Sequence, residues 1–265
     1  MPTTYAHYRF GSEVRSRMQG GKRDLIERYL QLYDIGVHGP DILFYYKPYH
    51  MNPVMETGLQ VHEQPGWAFF HQASRLIRRC FDPEPYLVYL FGMQCHFALD
   101  AACHGYINRY VEEKGVSHHL IEAEFDRVLL EKDGKDPLTH TRAAHITPSV
   151  DNAEIISRFY PGISWREVQM ALRAQIFVTE NVLRSGDRRR RFILNGFRLF
   201  GQQAQTGLVM NRKADPACRE SNVHLIKLYK RALPMAQKMI ETWDSYPDCP
   251  ADVRDFYQYN FVSVR

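Results

Sequence analysis

The sequence predicts an all-α fold, and three observations lead to that prediction. Alternating β-branched runs are nearly absent from the 265 residues, whereas apolar residues recur with the 3.6-residue period of amphipathic helices. A capping-box pattern, Ser164 followed by Glu167, opens one of these periodic segments. The most apolar stretch has neither glycine nor proline between Met93 and His104, which is typical of a buried helix.

These patterns place helices along most of the chain. We predict a short segment over 3–13 that leads into a helix, an amphipathic helix over 22–32, and a polar, turn-rich stretch over 52–66 that holds His62 on a loop. Further helices are predicted over 67–80, 86–113, 118–126, 151–159 (capped by Asp151), 164–183, 220–243 and 253–261, and 187–191 opens one more. We expect one domain over 1–265, in which 131–265 are helical scaffold.

The overall composition argues against several classes of protein. A chain of 265 residues that is 45% hydrophobic can bury a large core, and a net charge of +4 does not by itself imply nucleic acid. The five cysteines are scattered, so we expect reduced thiols. No apolar run reaches the roughly 18–20 residues of a membrane span, and residues 1–7 lack the pattern of a secretory signal. We expect a cytoplasmic protein.

The most informative motif is His96, Asp100 and His104, which recur at every fourth position of the buried helix. They drift by only about 80° around the axis, so all three point to one side. Buried charges need partners, and a divalent metal is the simplest one. His96 and His104 lie roughly 12 Å apart along the helix, too far for one ion with bonds of about 2 Å. A multi-metal cluster with Asp100 in the middle fits better, although hydrogen-bonded core histidines are the alternative.

A second candidate pair follows directly. His118 and Glu122 are four residues apart on the next helix, which is a common way to offer two ligands to one metal. His119 with Glu122 or Asp126 is the competing choice. Acidic residues in a first helical turn also complement the helix dipole without any metal. We interpret Glu124 and Asp126 as surface charge.

Upstream of the buried helix, Asp41 follows a Gly-Pro turn. It is either a helix N-cap or a loop carboxylate that points towards the metals. Aromatic residues nearby suggest one wall of a substrate cleft, although such residues are more often core. The candidates for that wall are Tyr45, Tyr46, Tyr49 and Trp67.

Arg188 to Arg191 form a basic run. Such a run is compatible with an anionic lipid or a nucleic acid. Because four consecutive residues point in several directions around a helix, we favour a solvated helix start.

With these residues assembled, the chain resembles the zinc-dependent phospholipase C family, together with the single-strand nucleases of the same all-α fold. The resemblance covers about residues 3–130, and the later half matches only as further helices. The family's His-x-x-x-Asp and following His resemble His96, Asp100 and His104, and its later His-x-x-x-Glu resembles His118 and Glu122.

The resemblance implies a role for each residue. His62, His96 and Asp100 would hold one zinc, and Asp100 would bridge to a second zinc that also takes an early histidine, His7. A third ion would be held by His104, His118 and Glu122. Asp41 would be the general base for water.

The chain differs from secreted family members at two points. Those members ligate a metal through a mature N-terminal Trp, whereas this chain begins Met1-Pro2, and its spacing from Asp100 to His104 is shorter. A site with two rather than three ions is therefore compatible with the sequence. Mixed nitrogen and oxygen ligands also suit iron or manganese.

Three hypotheses follow. The first is a metal-dependent hydrolase of a phosphate ester, either phospholipid-like or nucleotide-like, with water activated by two or three Zn²⁺ ions. The second is a non-catalytic helical protein stabilised by metal. The third is a metal-free helical protein that binds anionic partners through Arg188 to Arg191. We favour the first, with a small-molecule or lipid-like substrate and no stable nucleic-acid partner.

Overall fold

The computed structural model describes residues 4–184, 187–199 and 203–262. Helices make up nearly all of the regular structure in these ranges, and the only pairing of extended backbone given for them is an isolated bridge between Pro65 and Asn260. The prediction of an all-α fold is confirmed. No helix within the described ranges combines the length and apolar character needed to cross a bilayer.

Twelve α-helices are described. In chain order they are α1 Thr4–Arg17, α2 Gly20–Arg28, α3 Leu30–Gly36, α4 Pro53–Glu63, α5 Gly66–Ile77, α6 Glu84–Lys114, α7 His118–Lys132, α8 Val150–Ser157, α9 Trp165–Phe177, α10 Asp187–Leu199, α11 Arg219–Glu241 and α12 Ala251–Phe256. Short segments connect some of them, including the 3₁₀ helices Gly39–Tyr45 and Gln203–Leu208 and the π-helical segment Val178–Leu183.

Helix α6 is the centre of the molecule. It runs for 31 residues and ends at Gly115, whose positive φ of 65° forms a left-handed C-cap. Its buried residues surround the axis instead of forming one stripe, as expected of a helix enclosed by others. Helices α3 and α11 pack along it. The buried apolar side chains form a continuous cluster from Tyr5 to Phe261.

Two glycines allow α3 to approach α6 closely. A Cβ atom on Gly36 would lie 2.3 Å from the Tyr89 carbonyl oxygen, and one on Gly92 would lie 2.4 Å from the Tyr33 carbonyl oxygen. Because real Cβ atoms cannot come so near, any larger residue would push the helices apart. This contact fixes the start of the 3₁₀ helix Gly39–Tyr45, which follows α3 directly and carries Asp41.

The first turn of α1 is held by α7. The Asp126 carboxylate accepts hydrogen bonds from the backbone N–H groups of Tyr5 and Ala6, at 3.2 and 2.8 Å. These N–H groups have no partner within their own helix, so the carboxylate acts as a cap from a distant part of the chain. Both Glu124 and Asp126 are fully buried, and the prediction that they are surface charges is wrong.

Several predicted boundaries also change. The helix expected over 22–32 is two helices, α2 and α3, which meet at Tyr29. The stretch over 52–66 is mostly helix α4, so His62 lies in a helix and not on a loop. Asn52 caps α4 by accepting from Val54 and Met55, and Ser149 rather than Asp151 caps α8. The capping box of Ser164 and Glu167 on α9 is confirmed.

The C-terminal end of the chain returns to the N-terminal helices. The Phe261 N–H donates to the His62 carbonyl oxygen, and the Gly66 N–H donates to the Tyr259 carbonyl oxygen. The Phe261 ring packs against Phe97 on α6. The segment around Tyr259 and Phe261 is therefore part of the frame around α4 and α6.

Candidate metal centre

Helix α6 presents His96, Asp100 and His104 on one side, as their spacing requires. All three are buried, with Asp100 and His96 fully enclosed. The Asp100 carboxylate lies 3.2 Å from His96 Nε2 and 3.7 Å from His104 Nδ1. Asp100 is thus the middle member of the motif in space as well as in sequence.

Helix α1 brings His7 to this carboxylate. His7 Nε2 lies 3.3 Å from Asp100 Oδ1, and the His7 ring stacks on His96 with centroids 4.3 Å apart. His7, His96 and Asp100 form the first of three groups. In each group every residue offers one nitrogen or oxygen atom as a ligand, and these atoms lie within 4.8 Å of one another. The capping of α1 by Asp126 sets the position of His7, because His7 follows the capped turn.

The second group combines the 3₁₀ helix with α4 and α6. Asp41, His62 and His96 lie together, and His62 Nε2 is 3.1 Å from Asp41 Oδ1. His62 Nε2 is also 4.0 Å from Asp100 Oδ2. The structure therefore places Asp41 among the ligand-type side chains, in addition to the base role that the sequence suggested.

The third group lies between α6 and α7. It contains His104, His118 and Glu122, with Glu122 Oε1 at 3.5 Å from His104 Nε2 and 2.8 Å from His118 Nε2. Within the described part of the chain, no group contains both His96 and His104. This arrangement agrees with the separation that the helical rise imposes on these two residues.

Two of the histidines are oriented by backbone carbonyl groups. His62 Nδ1 lies 2.7 Å from the Gly58 carbonyl oxygen, and His104 Nδ1 lies 2.8 Å from the Phe261 carbonyl oxygen. A carbonyl oxygen can only accept, so each Nδ1 carries the proton and each Nε2 faces a carboxylate. Metal-binding histidines are commonly fixed in this way through their second nitrogen.

The electrostatics of the centre call for a cation. Burial would raise the pKa of Asp100, but His96 and His104 hold it well below its usual range. The pKa values of Asp41 and Glu122 are also lowered; His62 is the foremost cause for Asp41, and His118 and His104 are among the causes for Glu122. Burial lowers the pKa of His104, yet Asp100 and Glu122 together raise it to about 9. Three buried, ionised carboxylates therefore draw positive charge to this place.

The residues present fit zinc. Nε2 of His7 and Nε2 of His96 each lie 3.2–3.3 Å from the Asp100 carboxylate, and Nδ1 of neither ring makes a hydrogen bond within the described ranges. Two imidazoles that converge on one buried carboxylate are suited to hold a metal ion together with it. Imidazole and carboxylate are ordinary zinc ligands.

The predicted substrate-binding aromatics have different surroundings. Tyr45, at the end of the 3₁₀ helix, has its pKa raised to about 12 by burial and by the nearby negative charge of Asp41. Tyr46 is half-buried against the core, and Tyr49 is exposed. Trp67 is partly exposed at the start of α5, where its N–H donates to the Tyr257 carbonyl oxygen. Tyr45 therefore lies beside Asp41, a member of the second group.

Sequence reasoning missed a buried arginine close to Tyr45. Arg142 is only 4% exposed, and its Nε and Nη2 atoms make no hydrogen bond within the described ranges. Burial lowers the pKa of Arg142, while the charges of Asp126 and Glu180 raise it. The loop over 138–148 carries no helical periodicity, so no pattern pointed to burial. Arg142 thus adds a positive charge near the carboxylate of Asp41, with Tyr45 beside both.

A histidine pair was also missed. His38 Nε2 lies 2.7 Å from His145 Nε2, and His145 stacks on Tyr8 with centroids 3.8 Å apart. One ring of such a pair must donate and the other must accept, so at least one is neutral. Burial lowers the pKa of both rings, that of His145 to about 3. The pair lies behind Asp41, whose N–H donates to the His38 carbonyl oxygen.

Comparison with known proteins agrees with this geometry. No curated protein and no solved structure matches the chain. The family model described as "Zinc dependent phospholipase C" matches residues 6–166. That range covers more than half of the chain and includes every member of the three groups, from His7 to Glu122. The chain belongs to the zinc-dependent phospholipase C family.

Proposed function

We propose that this protein is a metal-dependent hydrolase of phosphate esters, with a phospholipid-like phosphodiester as its substrate. One observation carries the proposal: eight histidine, aspartate and glutamate side chains, seven of them buried, converge in three adjoining groups. They come from α1, α4, α6, α7 and the 3₁₀ helix Gly39–Tyr45. Burying so many polar and charged groups from distant segments costs free energy unless a ligand binds them.

Each proposed metal position has a defined set of residues. His62, His96 and Asp100 would hold one ion, with Asp41 beside it, and Asp100 with His7 would hold a second. His104, His118 and Glu122 would hold a third. Iron or manganese in place of zinc is compatible with this donor set. The contribution of the N-terminus lies outside the described residues.

When bound, zinc supplies Lewis acidity towards the phosphate oxygens and an activated water at neutral pH. The chain's own residues then have separate tasks. The Gly58 and Phe261 carbonyl groups keep the Nε2 atoms of His62 and His104 directed into the cluster. Asp41, ionised because its pKa is lowered, would accept a proton from water or orient it.

Tyr45 and Arg142 would act on the substrate side of the centre. Tyr45 lies beside Asp41, and Arg142 lies beside Tyr45. A guanidinium group matches the geometry of phosphate oxygens, so a positive side chain here favours an anionic ester over a neutral one. Tyr46 and Trp67 remain candidates for contacts with the remainder of the substrate.

The number of ligands favours catalysis over a purely structural role. Structural zinc sites are closed by four protein ligands, whereas catalytic sites hold the metal with three and leave one position for water or substrate. Each group here offers three residues, and two groups share His96. A non-catalytic metal site would need further ligands in each group.

The experiment is hydrolysis of chromogenic phosphodiesters and phosphomonoesters by protein purified without a histidine tag. We expect turnover that chelators abolish and that added Zn²⁺ restores. Asp41→Asn is the decisive variant, because an amide cannot accept the proton yet occupies the same volume. If Asp41 is the base, the variant keeps its metal and loses turnover.

The controls separate the remaining outcomes. Loss of metal in Asp41→Asn would instead make Asp41 a ligand, and full activity would remove both roles. His71→Ala changes a histidine that is exposed on α5, away from the three groups, so it should leave metal content and turnover unchanged. A metal-loaded protein that hydrolyses no phosphate ester at all would contradict the proposed function.

A further inference from the structure

Helix α10 combines positive charge with exposed apolar residues. It carries five arginines, at positions 188, 189, 190, 191 and 198, against one acid, Asp187. Its side chains at Phe192 and Leu199 are 80% and 82% exposed, among the highest values for large apolar residues in the described part of the chain. An arginine-rich helix start alone is ordinary, but it does not explain why these two side chains face solvent.

The exposed apolar residues share one face. Phe192 and Leu199 are seven positions apart, about two turns, so they lie one above the other on the helix surface. The side chain of Arg191 is exposed next to Phe192, whereas Ile193, Leu194 and Phe197 are half-buried. Arg190 is held by the protein, since its Nη2 donates to Asn211 Oδ1 at 2.7 Å. One face of α10 thus packs on the protein, and another presents apolar groups beside the exposed guanidinium of Arg191.

The neighbours of α10 connect it to the metal centre from two sides. It packs against the segments Val178–Leu183 and Gln203–Leu208. In the first segment, Thr179 lies beside Tyr45. The second segment packs on α7, where a Cβ on Gly207 would lie 2.9 Å from the Leu120 nitrogen and 3.2 Å from His119 Cβ. His119 and Leu120 follow His118 directly.

More exposed apolar surface adjoins the first of these segments. Phe177 is the last residue of α9 and is 57% exposed. Val178–Leu183 begins at the next residue and packs against α10. Apolar groups are therefore exposed both on α10 and at the end of α9, the helix that precedes the segment Val178–Leu183.

We propose that α10 is an interfacial docking helix that binds the surface of membranes containing anionic phospholipid. Apolar side chains that enter the boundary between headgroups and acyl chains, flanked by arginines that meet anionic headgroups, are the two requirements for such binding. The exposed leucine favours a bilayer over a nucleic acid, which offers aromatic and charged partners but no aliphatic interior. The inference rests on the proposed function only in naming a membrane phospholipid as the substrate.

The test is co-sedimentation of the full chain with vesicles. One set contains phosphatidylcholine alone, and the other contains phosphatidylcholine with phosphatidylglycerol. We expect binding to the anionic vesicles that weakens with salt. Arg191→Glu should weaken it by about tenfold or more, because one charge near such a surface already changes affinity several-fold. The double variant Phe192→Ser with Leu199→Ser should lose at least about tenfold, since both side chains lose apolar burial.

Matched controls remove general effects of charge and apolar surface. Arg231→Glu makes the same charge change at an exposed position of α11, and Phe81→Ser removes an exposed phenylalanine after α5. Both should bind vesicles like the unchanged chain. All four variants alter exposed side chains, so circular dichroism should show the same helical content. Equal binding by the α10 variants and the controls would overturn the proposal.

Two further measurements separate this inference from the proposed function. Hydrolysis of a soluble phosphodiester should be unchanged in the α10 variants, whereas hydrolysis of vesicle phospholipid should fall with their binding. Vesicle binding without any hydrolysis would contradict the proposed function and leave the docking helix in place. Binding of a single-stranded oligonucleotide that depends on Arg191, with no vesicle binding, would overturn the docking helix alone.

Discussion

Helix α7 carries two buried acidic regions that differ in their partners. Towards its C-terminal side, Asp126 accepts from the backbone of α1, and Glu124 accepts from the Asp215 N–H at 3.0 Å and lies 3.3 Å from Arg127 Nε. We call Glu124, Asp126 and Arg127 the structural cluster. Towards its N-terminal side, Glu122 joins His104 and His118. There the neighbouring groups include His7 and His96, whose Nε2 atoms lie 3.2–3.3 Å from the Asp100 carboxylate.

The comparison shows that burial of charge does not by itself identify a functional site. In the structural cluster, backbone N–H groups and a guanidinium supply aligned donors, so the carboxylates stabilise the fold without any ligand. In the metal centre, four imidazoles crowd around one buried carboxylate, that of Asp100, and we propose that metal cations complete the set. The two regions should therefore respond differently to mutation and to chelators.

The largest effect is expected from Asp100→Ala. This change removes the carboxylate that lies within 4.0 Å of four histidines, His7, His62, His96 and His104. We expect loss of metal and a fall in turnover of at least about 100-fold, since even outer-sphere partners of a metal cost 10–100-fold. Elemental analysis and the phosphodiester assay measure the two effects. Unchanged metal content and activity would show that Asp100 is not a bridging ligand.

Removal of metal by a chelator should distinguish the metal centre from the structural cluster without any mutation. Removing metal from the wild-type chain is expected to lower its melting temperature, because an ion that binds only the folded state stabilises it by about 2.7 kcal/mol at 100 times its Kd. Differential scanning calorimetry with and without dipicolinic acid gives the shift. The same shift in a Glu124→Gln variant would show that the structural cluster does not contribute to metal binding. A melting temperature insensitive to chelators would count against the metal centre.

A smaller and metal-independent effect is expected from Asp126→Ala. The variant leaves the N–H groups of Tyr5 and Ala6 without their acceptor, which should cost about 1–3 kcal/mol of unfolding free energy. Asp126→Asn keeps one oxygen acceptor and should lose less. Urea denaturation measures both variants. If Asp126→Ala instead removed all metal while leaving stability unchanged, the division into two regions would be wrong.

The smallest effect concerns a half-buried carboxylate that belongs to neither region. Burial raises the pKa of Asp34 on α3 to about 7, with Arg15 opposing the shift. Because its pKa is raised in the folded state, Asp34 holds its proton more tightly there than in the unfolded chain. The contribution of Asp34 to stability is therefore complete at acidic pH and is lost as the pH rises through about 7. Asp34→Asn should therefore match the wild type at low pH and be more stable than it above pH 7. Denaturation across this range tests the sign, and a variant that is less stable at high pH would contradict it.

Periodicity predicted what lies within single helices. His96, Asp100 and His104 share a face because four residues make about one turn, and Ser164 with Glu167 forms its capping box because both partners are local. The sequence also predicted that His96 and His104 serve different ions, since the fixed rise per residue puts them too far apart to share one. These features need no information from the rest of the chain.

Features that depend on distant contacts could not be predicted. Asp126 is buried because α1 supplies its donors, more than a hundred residues away, and the Phe261 carbonyl orients His104 across a similar distance. The helix that contains His62, in contrast, could have been predicted, because the sequence carries a helix-start signal. Asn52 followed by Pro53 is a typical helix start, but the polar composition of 52–66 obscured it.

The central claim is that the three groups of side chains hold metal ions. Its most direct test is elemental analysis of the wild-type chain purified without a histidine tag, with His96→Ala as the paired variant because His96 belongs to two groups. We predict about two to three zinc ions per wild-type chain and fewer in the variant. A fully folded wild-type chain that contains no metal and gains none from added Zn²⁺ would contradict the account.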